Sequence, residues 1–413
     1  MTTMRSTRSL PALAGGDAAF PEGLALTRPT LPDLPCLLDR LSRILESGQL
    51  TNGSTVRELE ACVAERLGVD HVVAVASCTS GLMLTLQALE VRGPVVMPSF
   101  TFSASAHAVM WAGGRPRFAD ITADSLCVDP DSVRRMVAGA SAITATHIYG
   151  TPCRTEALAD IAAAAKVPLV FDAAHALGSR RKGKPVGGFG TAEVFSLSPT
   201  KVTVAGEGGL VATNDESLAH AVRLGRNYGN PGDYDCQFPG LNARMSELHA
   251  AVALHSLTWL DHQVSHRNEL VDEFWRRLGG VAGLRRPTVG PADLSTYKDL
   301  TLVVDQREFG LSAERLALAL EREGVETRRY YHPSIHAQHA YRDVKQTSPA
   351  LPVTERIAPA VLSVPLWSHM ALSQLTRLTD CVVRIHEHFA EDGRKRRRTP
   401  VPPRPRAPRE ATR

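Results

Sequence analysis

A single lysine, Lys201, stands in the stretch SLSPTKVTVAGEGG (residues 196–209), with small hydroxyl residues upstream and glycines downstream. Alone, such a residue reads as a solvated loop lysine. Its meaning depends on which other side chains the fold brings to it. The other candidates stand where apolar runs end. HVVAVAS runs into Thr79 and Ser80 at a helix start, PVVMP is followed by SFTF with Phe102, PLVFD closes on Asp172 with His175 just beyond, and AEVF leads into Ser196. Thr79 and Ser80 suit helix capping, yet a helix start also gathers N–H groups and a positive dipole end that suit a phosphate. Asp172 at a strand end is either exposed by its loop or paired with a cation. Phe102 is either core or a flat platform for a ligand.

One cofactor, pyridoxal phosphate, would use all of these residues together. It requires a lysine to form an imine with its aldehyde, a carboxylate facing the pyridine nitrogen, a flat apolar side chain beside the ring and a phosphate cup. Lys201, Asp172, Phe102, and Thr79 with Ser80 and Ser196 supply that set. Rival phosphate motifs are absent: there is no G-x-x-x-x-G-K-[ST], and GGFG near residue 188 does not extend to G-x-G-x-x-G. His332, His336 and His339 have metal-like spacing, but Pro333 interrupts the helix that such spacing assumes, so no metal is expected. The basic run SRRKGKP (179–185) reads as a solvated turn, with a nucleotide diphosphate contact as its functional alternative.

These residues need a scaffold that aligns strand ends. From about residue 55 apolar strands alternate with helical patterns: HVVAVAS, PVVMP, RPRFAD, AITATHI and PLVFD are separated by segments with helical spacing. Such alternation predicts an α/β fold with parallel strands and helices on both faces, and open sheets of this kind bind ligands beyond the carboxyl ends of their strands. After Asp172 the strands AEVFSLS and GGLVATN follow with little helix between them, which predicts a hairpin-like return. A long helix is expected from Ser246 to the Gly279-Gly280 pair. Strand TLVVD, helix AERLALALEREG and a last helix near 373–390 suffice for a smaller α+β domain.

The chain has 413 residues, enough for two or three domains. Its apolar runs fall far short of the roughly 20 residues a membrane span requires, and the N-terminal stretch lacks the apolar core of a secretory signal. Seven scattered cysteines without a C-x-x-C pair fit reduced thiols. A cytoplasmic protein is expected. The net charge of +4 is dominated by the end of the chain, RKRRRTPVPPRPRAPREATR from Arg394, which reads as a solvated tail. It has no aromatic residues interleaved for stacking on bases, so a nucleic-acid partner is not expected.

The motifs SGQLTNGSTVRELE, SCTSGLMLTLQAL, PSFTFSASAHAVMWAGGRPRFADI, FDAAHALGS, FSLSPTKVTVAGEGGLVATND, RNYGN, GLNARMSELHAA, RRYYHPSIHAQHAY and LSVPLW occur in that order. Across about residues 25–390 the chain resembles the DegT/DnrJ/StrS family of sugar aminotransferases. The resemblance implies the type I PLP-dependent aminotransferase fold: a large domain with a mostly parallel seven-stranded sheet, a smaller C-terminal α+β domain, and a homodimer with shared active sites. The expected division is an N-terminal extension without fixed structure over 1–24, a large cofactor-binding domain over 25–258, a small domain over 259–392 and a basic disordered tail over 393–413. By resemblance Lys201 is the imine-forming lysine, Asp172 the pyridinium partner, Phe102 a ring neighbour and His175 a residue near the phenolic oxygen. Thr79, Ser80 and Ser196 hold the phosphate. Asn242 and Arg244 reach the neighbouring subunit's site, toward cofactor phosphate and toward phosphate or substrate respectively, and His336 matches a substrate-pocket histidine. Two positions depart from the family pattern: Cys78 stands where a glycine is frequent, and Ser198 where an aromatic residue or histidine is usual. The implied activity is transfer of an amino group from glutamate or glutamine to a keto-sugar, nucleotide-linked, or to a keto-cyclitol. The alternatives are a dehydratase of the same family, in which the lysine position is typically histidine, and a cofactor-binding regulatory protein without turnover.

Overall fold

The computed structural model describes residues 10–31, 34–345 and 349–398. Its strands are β1 (His71–Val75), β2 (Gly93–Pro98), β3 (Gly114–Ala119), β4 (Ala142–Thr146), β5 (Leu169–Asp172), the small hairpin β6 (Arg180–Arg181) and β7 (Lys184–Pro185), then β8 (Ala192–Ser196) and β9 (Gly209–Thr213). Apart from that hairpin they form one seven-stranded sheet in the order β1-β9-β8-β5-β4-β2-β3. Neighbours from β3 through β8 pair in parallel, whereas β9 is antiparallel to both β8 and β1. The expected mostly parallel sheet and hairpin-like return are therefore present. β4, β8 and β9 are buried along their whole length because helices cover both faces.

The helices follow from local chemistry. In Ser54–Leu67 the buried face is Val56, Leu59, Val63 and Leu67, and the helix stops where Gly68 adopts φ 67° and its N–H closes on the Ala64 and Glu65 carbonyls. Ala313–Arg322 starts at Ser312, whose side chain accepts from the Arg315 N–H, and buries Leu316, Ala319 and Leu320. That second helix covers a smaller antiparallel sheet of β10 (Leu284–Arg285), β11 (Leu300–Val304) and β12 (Val361–Val364). Among the described residues no helix is long and apolar enough to cross a membrane.

Three expectations are corrected. Residues 10–24 are not a loose extension: Phe20 and Leu24 are buried in the core of the smaller sheet. The Phe20 and Leu24 N–H groups donate to the Glu323 and Gly324 carbonyls, both at 2.8 Å. A Cβ on Gly324 would lie 1.9 Å from the Phe20 carbonyl oxygen, so only glycine permits this approach. Residues 1–9 lie outside the described residues. The expected long helix from Ser246 divides into Glu247–Leu257 and Leu260–Arg277, because Trp259 leaves helical geometry at φ −106° and ψ 1° and the Thr258 hydroxyl bonds back to the His255 carbonyl. Finally, the last helix runs Leu372–Arg398, so the tail expected to be disordered from residue 393 starts within a helix. Residues 399–413 lie outside the described residues.

Candidate active site

Parallel strands place their carboxyl ends on one edge, and a cavity of about 340 Å³ opens there. Lys201, Asp172, Phe102, His175, Thr79 and Ser196 all line it. Of the residues expected within one chain, Ser80 and His336 are not in the lining.

Asp172 ends β5 and is 4% exposed. Its Oδ2 accepts from the Ser105 hydroxyl at 2.5 Å and its Oδ1 from the Ala174 N–H at 3.1 Å, so both oxygens are fixed. Behind Ser105 a hydroxyl chain continues through Thr101 at 3.2 Å to Thr146 at 3.0 Å. Cys78, the departure from the family pattern, turns its thiol to the Val194 carbonyl at 3.5 Å. Burial, then the Asp172 charge, pushes that thiol well above its usual range, so the position adds no anion to the site.

The helix Cys78–Ala88 begins at Ser77, whose hydroxyl accepts from the Ser80 N–H while the Ser80 hydroxyl accepts from the Ser77 N–H, both at 3.1 Å. This reciprocal cap occupies Ser80. The Cys78 and Thr79 N–H groups, in the first helical turn, remain available to an anion. Gly209 at the start of β9 makes room for that turn: a Cβ there would sit 2.5 Å from the Cys78 nitrogen. Ser196 ends β8 directly opposite Gly209.

Lys201 lies on the loop after β8, its N–H closing on the Ser198 carbonyl at 3.0 Å. Among the described residues no hydrogen bond or ion pair closes on its Nζ. Burial, and next the like charge of Lys298, lower its amine from 10.5 to about 8, against the opposing pull of Asp299 and Asp172. His175 is held well below the ordinary imidazole range by burial, then by Lys201 and Lys298, and is neutral. Its Nε2 is 3.5 Å from the Tyr331 hydroxyl, and its buried Nδ1 has no partner. Phe102 is 57% exposed and tilts toward Tyr331 at 6.1 Å between ring centroids, leaving an apolar ring face open at the cavity.

Asn242 and Arg244 are brought together elsewhere. Asn242 pairs with Asn227 across an isolated bridge, and Arg244 Nη1 donates to Asn227 Oδ1 at 3.1 Å with its guanidinium 5.6 Å from the Tyr228 ring centroid. Asn242 is exposed and does not line the cavity of its own chain. His336 is 5% exposed, with its Nδ1 2.6 Å from the Ser99 hydroxyl and its ring against Phe118, so burial in the packing beside β3 keeps it from the cavity.

Sequence reasoning missed Ser77, Thr146, Glu207, Lys298, Tyr330 and Tyr331, all of which line the cavity. The tyrosines lie inside the quoted stretch RRYYHPSIHAQHAY, so that segment carried a signal. Lys298 precedes β11 of the smaller sheet, and nothing in chain order ties that position to the ends of β5 and β8.

Residues 36–383 match the model of the DegT/DnrJ/EryC1/StrS aminotransferase family. The chain belongs to that family. It is similar to dTDP-4-amino-4,6-dideoxy-D-glucose transaminase of Escherichia coli, 29% identical over 86% of this chain and 97% of that protein. It is 31% identical to dTDP-3-amino-3,4,6-trideoxy-alpha-D-glucose transaminase of Streptomyces venezuelae, over 83% and 90% of the two chains. A solved structure of DesI in the presence of its TDP-sugar product superposes with a TM-score of 0.87, at 36% identity, covering 93% of this chain and 98% of that one. This aminotransferase uses pyridoxal phosphate. The lining fits that group in kind: an amine without a partner, a fixed carboxylate, an uncovered aromatic face, an orphaned buried imidazole nitrogen and a helix start with unpaired N–H groups.

Proposed function

We propose that this aminotransferase moves an amino group from glutamate or glutamine to a keto-sugar, nucleotide-linked like the sugars its relatives are named for, or to a keto-cyclitol, as a cytoplasmic homodimer with shared active sites. The observation that carries the reading is Lys201, an amine without a partner in a cavity with Asp172 and Phe102, and half neutral near pH 8. A neutral amine is the form that attacks an aldehyde. Pyridoxal phosphate, when bound, supplies that aldehyde and an electron sink for the bond broken at the donor Cα.

In this reading Lys201 would hold the cofactor, and its amine, once released, would serve as the base that takes the proton from the donor Cα. Asp172, fixed by Ser105 and Ala174, would face the pyridine nitrogen and keep it protonated. Phe102 would cover one face of the ring, and neutral His175 would lie near the phenolic oxygen. Thr79, Ser196 and the first-turn N–H groups hold the phosphate, with Ser80 bracing the turn. Asn242 and Arg244 serve the neighbouring subunit's cavity, a reading supported by their absence from the lining of their own cavity and by the exposure of Asn242. A lysine at position 201 stands against the dehydratase alternative.

Purified protein should be yellow and bleach with borohydride, and mass spectrometry should place the trapped adduct on the peptide carrying Lys201. Glutamate or glutamine should remove the visible band, and a dTDP-linked keto-sugar should restore it. A band that neither donor alters, in protein that still binds the nucleotide sugar, would return the chain to the regulatory class.

A further inference from the structure

The cavity holds a second ammonium that the proposed roles leave unused. Lys298 is 4% exposed, its Nζ lies 2.7 Å from Asp299 Oδ1, and it sits 5.1 Å from the Tyr330 ring centroid. Its backbone is fixed at both ends of the peptide unit: the N–H donates to the Tyr149 carbonyl at 2.9 Å, and its carbonyl accepts from Arg267 Nη2 at 2.8 Å. We propose that Lys298 anchors the α-carboxylate of the amino-acid donor, a role that rests on the transaminase reading above.

Burying an ammonium is costly unless it is paired. Asp299 supplies one partner and the Tyr330 ring face a second, but an ammonium has three N–H donors. Asp299 Oδ2 is buried with no partner, so the pair is not saturated on either side. Lys201 and Lys298 are the only ammonium groups lining the cavity among the described residues, and Lys201 is committed to the cofactor. A donor amino acid enters with a carboxylate that loses its water and needs a cation there.

Position separates this anion from the diphosphate of a nucleotide sugar. The α-carboxylate is bonded to the same carbon as the reacting amine, so its partner must lie beside the reacting lysine. A diphosphate is separated from the reacting carbonyl by the sugar ring. The Thr296 hydroxyl, two residues before Lys298, donates to the His175 carbonyl at 2.5 Å, and Lys298 lines the cavity together with His175 and Lys201, which places it at the reacting end. Arg180 and Lys184, by contrast, are exposed on the β6–β7 hairpin.

The test compares holoenzyme with Lys298→Gln, which can still hydrogen-bond Asp299, and Lys298→Arg, which keeps the charge. Melting temperature and the visible cofactor band check that each is folded and loaded. The probes are glutamate in the half-reaction, succinate as an unreactive dicarboxylate and dTDP, the last two by calorimetry. Losing one charge-assisted contact should raise the KM for glutamate and the Kd for succinate by roughly 10- to 100-fold in Lys298→Gln, with dTDP affinity within about twofold. Lys298→Arg should remain within about fivefold of the parent. Unchanged succinate and glutamate affinity in Lys298→Gln overturns the proposal, as does weakened dTDP binding with intact succinate binding. If the parent protein binds succinate through Lys298 but reacts with neither glutamate nor glutamine, the anion site stands and the transaminase reading fails.

Discussion

Two buried cations mark two regions of this molecule, and they are partnered in opposite ways. Arg267, in the helix Leu260–Arg277, is 4% exposed where that helix meets the smaller sheet. Its guanidinium donates to the carbonyls of Thr296 at 3.2 Å, Tyr297 at 2.6 Å, Lys298 at 2.8 Å and Leu366 at 3.4 Å. Burial lowers it from 12.5 to about 10, with Asp299 opposing, so it stays charged. Lys201 has no such partners, and a similar drop from its lower ordinary value of 10.5 brings it to about 8, within reach of the neutral form. A cation enclosed by carbonyls serves the fold, whereas one left unpartnered in a cavity is available for chemistry. The two regions are also joined, because Arg267 fixes the segment that presents Lys298 to the cavity.

The contrast breaks most sharply at Lys201. Lys201→Ala should fold with a melting temperature close to the parent's, lose the borohydride-trapped adduct, and lose turnover on the order of 10⁴-fold or more. A variant that keeps the adduct would move the reacting amine elsewhere. The opposite pattern is expected for Arg267→Met, which retains the apolar stem but strands the carbonyls of residues 296–298. It should lose about 3–5 kcal/mol in urea unfolding of the apoprotein. A loss below about 1 kcal/mol would remove Arg267 as a structural cation.

Much of this division could be read from the sequence, for identifiable reasons. Asp172, Ser196 and Phe102 were legible because strand ends in an alternating α/β pattern must share one edge of a sheet. Ser80 carried two readings in the sequence, because a hydroxyl at a helix start serves equally as cap or as anion ligand, and the cap depends on Ser77, three residues back. Lys298 and Arg267 were invisible: apart from Asp299, which adjoins Lys298 in the chain, their partners are Tyr330 and the backbone of 296–298, brought to them by tertiary packing rather than by any periodicity. The segment around Phe20 was misjudged for a related reason. It is irregular and proline-broken, and its burial partner, Gly324, lies about 300 residues away.

The pH dependence sharpens the comparison between an available and an enclosed cation. Only the neutral Lys201 amine attacks an aldehyde, and the neutral form predominates above its own pKa. Cofactor capture by the apoprotein should therefore rise about tenfold per pH unit below about 8 and level off above it. An ordinary lysine near 10.5 would still be rising there, so capture at pH 8 should be on the order of a hundredfold faster than such a lysine allows. Stopped-flow absorbance of the free aldehyde, corrected for its own titration, reads the midpoint. In Lys298→Gln the midpoint should move upward, because the like charge that lowers Lys201 is gone. A midpoint that stays in place would assign the depression to burial alone.

The smallest effect separates two uses of a hydroxyl at one helix start. The Ser80 hydroxyl donates to the Ser77 carbonyl at 2.9 Å and accepts from the Ser77 N–H, so its bonds are local. Ser196 and Thr79 line the cavity without belonging to that cap. Ser80→Ala should therefore cost about 0.5–1 kcal/mol of stability and leave cofactor affinity within about twofold. Ser196→Ala should do the reverse, weakening cofactor binding roughly tenfold with little change in stability. Equilibrium titration of the apoproteins by absorbance decides between them. Equal losses of affinity in the two variants would mean that the cap opens when phosphate arrives, so that the Ser80 hydroxyl exchanges its Ser77 partner for the anion.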